Sequence, residues 1–411
     1  MKKRVLSFVL TVNILFLALC GRLFSITLSP HQASIQQSLR VRDIDISRGN
    51  IYDRNLNPFT NEEFSYTICI KPTSLALNFL NDAGESKDTL KQIAEGRFVL
   101  KDTDSPNIYN TCEDIKALPV YRRYTHSTLV HILGYTDSAG NGVCGIEKYY
   151  NDYLKKTGGS LSVAFSADAN GRMLTGEPVE IRDTNYYTKS GLALTIDSDI
   201  QLVLENALKN GKISKGSGVI LDTATNEILA CASFPVYDRS NLADALNHSD
   251  SPFVNRAFSA FPVGSVYKAV TAASALENNI TLKEYFCDGD ITLNGNTFYC
   301  SNLDGHGEID FDTAIAKSCN PFFINLGVEI GEEKILSLSQ KFHLGESIDF
   351  GNGYMTDSGI LPLATEFVSK ADVGNLSFGQ GKLTATPIQI ATIFSCIGNG
   401  GYYIKPSLIS G

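Results

Sequence analysis

The sequence FPVGSVYK at residues 261–268 is followed by the apolar run AVTAASALE at 269–277. A proline and a glycine directly before a helix-forming run are typical of a helix N-terminus, so we predict a helix that begins at Ser265. On a helix, positions i and i+3 share a face, which places the Lys268 amine beside the Ser265 hydroxyl. Because a lysine that is held neutral can activate a serine without histidine, this pair predicts a serine nucleophile.

A second polar triplet, Ser318-Cys319-Asn320, lies further along the chain at the start of another helical pattern. Ser-x-x-Lys followed by Ser-x-Asn is the order found in enzymes that form acyl-serine intermediates. Ser318 is suited to relay a proton between Lys268 and a leaving amine, and Asn320 offers a donor and an acceptor for a substrate amide. The two motifs together predict acyl transfer through a serine ester. We expect Cys319 to be a packing residue and not a nucleophile.

Composition limits the classes of function. A chain of 411 residues is long enough for two or three domains with a sizeable core. The formal net charge of −9 argues against a nucleic-acid partner. The six histidines are scattered and show no spacing typical of metal ligands, so we predict neither a metal nor a cofactor.

The N-terminus predicts a membrane anchor. Three basic residues at positions 2–4 precede an apolar run from Val5 to Phe24 that only Asn13 and Arg22 interrupt. About 20 residues of helix, at ~1.5 Å each, span the ~30 Å hydrocarbon layer. The basic residues orient the remainder away from the cytoplasm by the positive-inside rule. We favour an uncleaved signal-anchor over a cleaved signal, because no clear cleavage site follows the run.

The nine cysteines are an odd number, so at least one thiol is free. Cys287 and Cys300 bracket a segment that we predict to be a hairpin through Asn294-Gly295. Outside the cytoplasm these two residues can form a disulfide. Two small buried thiols are an equally good interpretation of the same pair.

Local patterns predict several further elements. Short strands joined by a turn at residues 48–50 are expected in the segment 40–59, and a short helix is expected after Gly145-Ile146-Glu147. A helix capped by Asp197 ends at Gly211, and a hairpin follows over 216–233. The last predicted helix covers about 385–397 and precedes Gly400-Gly401.

Several spaced motifs together resemble those of the class B penicillin-binding proteins, single-pass D,D-transpeptidases that cross-link peptidoglycan. The motifs are SRGNIYDRN at 47–55, GVCGIEKYYNDYL at 142–154, NRAFSAFPVGSVYK at 255–268, GHGEIDFDTAIAKSCNPFF at 305–323, and FGQGKLTATPIQIATIFSCIGNGG at 378–401. Val263 stands where that family usually has proline. The resemblance implies that Ser265 is the acylated nucleophile, Lys268 its base, and Ser318 and Asn320 the second catalytic element.

The resemblance also implies an architecture and partners. The expected fold is α+β, with a serine β-lactamase/transpeptidase-like domain that is incomplete, a β-rich N-terminal domain for dimerisation or as a pedestal, and one transmembrane helix. The cytoplasmic tip and transmembrane helix would be residues 1–25, the N-terminal domain 26–190 and the transpeptidase-like domain 191–411. The implied substrates are peptidoglycan stem peptides and β-lactams, and the implied partners are a membrane glycosyltransferase and other cell-wall synthesis proteins.

The family's third motif, Lys-Thr-Gly on a strand at the edge of the site, does not follow Ser318-Cys319-Asn320. The only KTG, at Lys156-Thr157-Gly158, precedes the nucleophile, and Lys382-Leu383-Thr384 is not a substitute. The family's strand binds the substrate peptide by β-augmentation, and a backbone N–H beyond it completes the oxyanion hole. We therefore expect a chain truncated before this motif, which acylates slowly or not at all with β-lactam.

Two alternatives remain open. A β-lactamase or β-lactam sensor of the same fold shares the Ser-x-x-Lys and Ser-x-Asn motifs, but the long N-terminal region with SRGNIYDRN favours the transpeptidase. A non-catalytic scaffold for division or elongation proteins would explain an absent third motif. The intact residues Ser265, Lys268, Ser318 and Asn320 argue against a chain that has long lost its chemistry.

Overall fold

The structure is a computed structural model that describes residues 2–28, 38–174, 176–280, 282 and 284–410. Its strands are β1 (Leu39–Ile46), β2 (Asn50–Tyr52), β3 (Glu63–Ile70), β4 (Val99–Thr103), β5 (Ile115–Arg122), β6 (Ser160–Ser166), β7 (Glu180–Thr184), β8 (Gly191–Ala193), β9 (Gly216–Leu221), β10 (Ile228–Phe234), β11 (Phe261–Pro262), β12 (Tyr285–Cys287), β13 (Asp290–Leu293), β14 (Asn296–Tyr299), β15 (Gly307–Ile309) and β16 (Thr384–Ala385).

The described residues form both helices and strands, often in runs of several of one kind, and the predicted α+β class is confirmed. The α-helices are α1 (Lys2–Leu28), α2 (Ser74–Asp82), α3 (Lys87–Ala94), α4 (Pro106–Tyr109), α5 (Val130–Leu133), α6 (Gly145–Tyr149), α7 (Asn151–Lys156), α8 (Ser198–Asn210), α9 (Leu242–Leu246), α10 (Lys268–Glu277), α11 (Phe311–Lys317), α12 (Asn320–Ile330), α13 (Glu332–Lys341), α14 (Lys370–Ser377) and α15 (Pro387–Gly398). Short 3₁₀ turns cover Gly264–Tyr267 and Ala364–Glu366.

The chain divides into two compact units that each use separated segments. The first contains residues 1–47, 63–122 and 158–188, and the second contains 48–62, 123–157 and 189–411. The domain boundaries at residues 25 and 190 stay a prediction. The short strands expected over 40–59 are present as β1 and β2, but they belong to different units and do not pair with each other.

The first unit is rich in β-structure. Strands β1, β6 and β7 form one antiparallel sheet in that order, and β4, β3 and β5 form another. Apolar side chains such as Phe98, Leu161 and Phe165 are buried in its core. The N-terminal helix α1 contains the window Ser7–Ser25, which is long and apolar enough to cross a membrane and has none of its surface buried.

The second unit is built around α12, whose sequence NPFFINLGVEI is apolar on nearly every face. A helix that is apolar all round is buried, and Phe322, Phe323 and Leu326 are completely inaccessible. Helices α10, α13 and α14 pack against α12, so the segment just before it is held from several sides. The unit also contains the antiparallel β9–β10 pair.

In the second unit, three predictions that depend on short stretches of sequence are confirmed. Helix α8 has Asp197 as its N-cap, whose carboxylate accepts hydrogen bonds from the next turn, and Gly211 as its C-cap, as predicted. The β13–β14 hairpin turns at Asn294 and Gly295, whose φ values of 49° and 80° suit an Asn-Gly turn. The predicted hairpin over 216–233 is confirmed as β9 and β10.

Two helix starts differ from the prediction. The short helix α6 begins at Gly145 and includes the Gly-Ile-Glu motif, where we expected the helix to follow it. Residues Gly264–Tyr267 form a 3₁₀ turn, and the α-helix begins only at Lys268. The first turn of a helix is often a 3₁₀ turn. The proline and glycine therefore predicted where the helix is, but not that its first turn is 3₁₀.

A buried ion cluster joins distant segments of the second unit. Glu147 on α6 is fully buried and contacts Arg48 at 2.9 Å and Arg123 at 2.7 Å. The Tyr124 hydroxyl donates to the same carboxylate at 2.8 Å. Arg48 also donates to the Gly140 carbonyl at 2.7 Å. Because buried charges need such partners, the cluster explains why residues 48–62 and 123–157 fold with the C-terminal part of the chain.

Replacing Glu147 should therefore destabilise the protein strongly. Glu147→Gln leaves two arginines without their buried counter-charge, and loss of one partner in a buried pair typically costs about 3–5 kcal/mol. The free energy of unfolding is measured by chemical denaturation of the detergent-solubilised chain, with circular dichroism as the signal.

The matched control is Glu227→Gln, which removes the half-exposed pair between Arg54 and Glu227, 3.1 Å apart. Exposed pairs contribute at most about 1 kcal/mol, so this variant should unfold almost like the parent chain. Equal losses in the two variants would contradict the structural role of the Glu147 cluster.

Candidate active site

Ser265 lies in the 3₁₀ turn that leads into α10, and its side chain is exposed. The chain before it is fixed by pairing between β11 and β16, with Phe261 opposite Ala385. The Gly264 N–H also donates to the Gly379 carbonyl at 2.8 Å. A side chain on Gly379 would meet the Gly264 oxygen at 2.1 Å, so this close approach requires glycine. The segment FGQGKLTA thus holds the serine turn from behind.

Lys268 is the first residue of α10 and only 5% exposed. Its Nζ donates three hydrogen bonds, to the Ser318 carbonyl at 2.6 Å, to Ser318 Oγ at 3.0 Å and to Asn320 Oδ1 at 2.7 Å. An ammonium has three protons to donate, so this set of acceptors satisfies it fully. The structure therefore brings Lys268, Ser318 and Asn320 together at one point.

The geometry of the Ser-Cys-Asn segment explains how it reaches Lys268. Ser318 is the C-cap of α11 in the left-handed conformation, with φ 51° and ψ 43°. Cys319 is extended, and α12 begins directly afterwards with Asn320 and Pro321. Two helices therefore end and begin within three residues, and their junction points polar groups at the lysine. The Asn320 amide also donates to the Tyr299 carbonyl at 2.8 Å, which fixes its orientation.

Burial changes the acidity of the lysine. Desolvation lowers the pKa of Lys268 from 10.5 to about 8, opposed by the negative charge that Cys319 and Cys300 carry when ionised. The ammonium also lies 5.6 Å from the centroid of the Phe323 ring. A lysine with a pKa near 8 supplies a useful fraction of neutral amine close to neutral pH, as a general base requires.

Ser265, Lys268 and Ser318 line one cavity of about 370 Å³. Most of its wall is apolar, with Val266, Phe323 and Phe394 among the contributors. Within the part of the chain that the structure describes, Ser265 Oγ has no hydrogen-bond partner. The exposed Ser265 therefore lines the same cavity as the buried Lys268. Of the four predicted residues, three are hydrogen-bonded together and Ser265 shares their cavity.

The lysine-containing motifs at 156–158 and 382–384 make contacts with residues other than Lys268, Ser318 and Asn320. Lys382 is exposed and pairs with Glu366 at 2.5 Å, so it does not take the place of a Lys-Thr-Gly lysine. Thr157 follows the end of α7 and donates to the Tyr153 carbonyl at 2.9 Å. The close contact between Gly264 and Gly379 was not predicted from the sequence. The position of each glycine within a predicted motif was the feature that could have indicated it.

Ser-x-x-Lys and Ser-x-Asn meet in this fold, and this pair of motifs is found in enzymes that form acyl-serine intermediates. Residues 216–411 match the family model described as the penicillin binding protein transpeptidase domain. The predicted resemblance to the penicillin-binding proteins is confirmed, and residues 216–411 carry the match to their transpeptidase domain.

Similarity to individual relatives extends beyond that segment. Stage V sporulation protein D of Bacillus subtilis (strain 168) is 31% identical over 395 residues, which cover 87% of this chain and 58% of that protein. Peptidoglycan D,D-transpeptidase FtsI of Escherichia coli (strain K12) is 26% identical over 400 residues, which cover 89% of this chain and 65% of that protein. The chain thus spans less than two thirds of the length of these relatives.

Solved structures share the fold at lower identity. Penicillin-binding protein PBP2 of Helicobacter pylori, in its complex with MreC, matches with a TM-score of 0.61 and 22% identity over 90% of this chain and 79% of that chain. A chain from a peptidoglycan synthase complex, studied for its coordination of polymerization and crosslinking, matches with a TM-score of 0.69 and 20% identity over 99% of this chain and 79% of that chain.

The lowered pKa of Lys268 predicts a specific dependence of stability on pH. Between about pH 8 and pH 10.5 the unfolded chain binds a proton at this lysine that the folded chain has released. The cost of burying the ammonium is therefore fully present below pH 8 and is relieved as the pH rises. The free energy of unfolding of the parent chain, minus that of Lys268→Met, should increase across this range.

Lys382→Met is the control for this titration. In the parent chain, the hydrogen bond and charge interaction with Glu366 raise the pKa of Lys382. The stabilisation that this ion pair provides is therefore lost as the lysine deprotonates at high pH. Chemical denaturation at several pH values measures both differences. A difference for Lys268→Met that stays flat or falls between pH 8 and 10.5 would show that the folded protein does not depress this pKa.

Proposed function

We propose that this chain is a peptidoglycan D,D-transpeptidase that acylates Ser265 with a D-Ala-D-Ala stem peptide and binds β-lactams at the same residue. The observation that carries the proposal is the Lys268 amine, held at 2.7–3.0 Å from the side-chain oxygens of Ser318 and Asn320 on the cavity that Ser265 lines. Resemblance to the penicillin-binding proteins supports the same substrate class.

The proposed reaction uses each of the four residues. Neutral Lys268 takes the proton of the Ser265 hydroxyl as Ser265 Oγ attacks the carbonyl carbon between the two D-alanines. The C–N bond of that peptide then breaks, and the leaving amine takes its proton from Lys268 through the Ser318 hydroxyl. An amine of a second stem peptide attacks the carbonyl carbon of the serine ester and gives a proton to the neutral Lys268. The new amide forms as the ester C–O bond breaks, and Lys268 returns the proton to Ser265 Oγ. Asn320 hydrogen-bonds to the substrate amide throughout.

The surroundings of this reaction are also proposed. The basic residues at 2–4, which precede the apolar window Ser7–Ser25 of α1, favour a cytoplasmic N-terminus, with the acyl-transfer site outside the cell membrane. We assign residues 191–411 to the transpeptidase domain and 26–190 to a non-catalytic dimerisation or pedestal domain. The structural neighbours include a peptidoglycan synthase complex and a PBP2–MreC complex, which supports partners in cell-wall synthesis. A membrane glycosyltransferase is the partner that we propose.

The nucleophile can be tested with a fluorescent penicillin. The parent chain in detergent should become covalently labelled, if only slowly without the third motif, and mass spectrometry of its peptides should place the label on Ser265. Ser265→Ala should lose the label completely, because the other hydroxyl at Lys268, that of Ser318, already accepts a hydrogen bond from the amine and serves as the proposed proton relay. The readout is the identity of the labelled residue, not the rate of labelling.

Ser259→Ala is the matched control, since Ser259 lies just upstream and donates only to the Asn255 carbonyl at 3.1 Å. This variant should label like the parent chain. A label on another residue, or its persistence in Ser265→Ala, would refute the assigned nucleophile. Rapid turnover of nitrocefin by the parent chain would favour a β-lactamase of the same fold over a transpeptidase.

A further inference from the structure

A group of three thiols and one imidazole lies directly behind the Ser-Cys-Asn segment. The possible ligand atoms of Cys287, Cys300, His306 and Cys319 all lie within 4.8 Å of one another. The three cysteines are between 0% and 4% exposed, and His306 is half-buried. A set of three sulfur ligands and one nitrogen ligand is typical of a structural zinc site.

The distances fit a tetrahedral ion. Zinc–sulfur bonds of about 2.3 Å place two tetrahedral sulfur ligands about 3.8 Å apart, and a sulfur and a nitrogen about 3.5 Å apart. In the structure, Cys300 Sγ lies 4.0 Å from Cys319 Sγ and 3.5 Å from His306 Nδ1. These two distances are close to the tetrahedral values, and all four possible ligand atoms lie within 4.8 Å of one another.

The backbone around the four ligands is shaped to bring them together. Cys287 ends β12 and pairs with Gly307 at the start of β15, which places His306 next to it. The loops approach so closely that a side chain on Gly305 would meet the Cys287 carbonyl at 2.2 Å. Backbone N–H groups of Asn302 and Asn320 hydrogen-bond to the Cys300 sulfur. Such N–H···S contacts to a ligand sulfur are the outer interactions that orient metal ligands.

We propose that Cys287, Cys300, His306 and Cys319 bind one zinc ion. Soft thiolate ligands in tetrahedral geometry favour zinc over magnesium or calcium. The alternative is the disulfide between Cys287 and Cys300 that the sequence suggested. In the structure both are free thiols. One disulfide would use two of three adjacent thiols, would leave Cys319 unpaired, and would give His306 no role.

The site has a consequence for the acyl-transfer residues, and this step rests on the proposed function. Cys319 lies between Ser318 and Asn320, which both bind Lys268. An ion held by Cys319 would connect the segment to the loops at 287 and 300–306 and hold the two oxygen acceptors in place. Cys319 would then be a positioning residue, and the metal would take no part in the bond-making steps.

Metal content of the parent chain is the primary test. The chain is purified in detergent under reducing conditions without chelator, and mass spectrometry of the elements should find about one zinc per chain. The stripped and reduced chain should also bind added Co²⁺ and show the visible bands of tetrahedral cobalt with the charge-transfer bands of thiolate ligands. Neither measurement requires a variant to fold or an acylation reaction to occur.

Variants identify the ligands. His306→Ala and Cys319→Ala should each lose the zinc, whereas Cys231→Ala should retain it. Cys231 is a matched control because it is a buried thiol of the same unit and has no place in the cluster. Zinc retained in the His306 and Cys319 variants would overturn the assignment. So would a reduced parent chain that takes up neither Zn²⁺ nor Co²⁺, or a Cys287–Cys300 disulfide in a metal-free parent chain.

The positioning role has its own measurement. Labelling of Ser265 by fluorescent penicillin should slow by about tenfold or more when zinc is stripped, and should recover when zinc is restored, because small displacements of acyl-transfer groups have large effects on rate. An unchanged rate would refute the positioning role. Zinc binding without any labelling of Ser265 would instead refute the proposed function and leave the metal site standing.

Discussion

A lysine ammonium can be buried only if hydrogen-bond acceptors replace the water that it loses, and this requirement shapes the centre of the second unit. Lys268 obtains its three acceptors from two residues, Ser318 and Asn320, at the junction between α11 and α12. The junction must therefore stop one helix, expose a carbonyl and start the next helix within three residues. The left-handed Ser318 and the proline after Asn320 are the features that allow this.

The same requirement connects structure to chemistry. Acceptors that satisfy a charged lysine stabilise the protonated amine, while burial favours the neutral amine. In this protein burial prevails, and the pKa of Lys268 falls to about 8. A fully satisfied ammonium is thus compatible with a base that is partly neutral near physiological pH. The apolar walls of the cavity, including Phe323, supply the desolvation that makes this balance possible.

Sequence reasoning succeeded where the determining contacts are local. The Asp197 cap and the Asn294-Gly295 turn each depend on residues within one turn of the chain. It could not find contacts between distant segments. Glu147 pairs with Arg48 across 99 residues of the chain and with Arg123 across 24. The thiol–imidazole cluster likewise combines a strand end, two loop positions and a helix junction, so its members show no regular ligand spacing.

Cys319 shows how one residue can belong to two arrangements. Its backbone is extended, with φ −66° and ψ 115°, between the left-handed Ser318 and the first helical residue, Asn320. Ser318 and Asn320 contact Lys268, while the thiol between them contacts Cys300. The identity of the middle residue in Ser-x-Asn is not constrained by the acyl-transfer side of the segment. A thiol at that position is explained only by what lies behind it, where two further thiols and an imidazole converge.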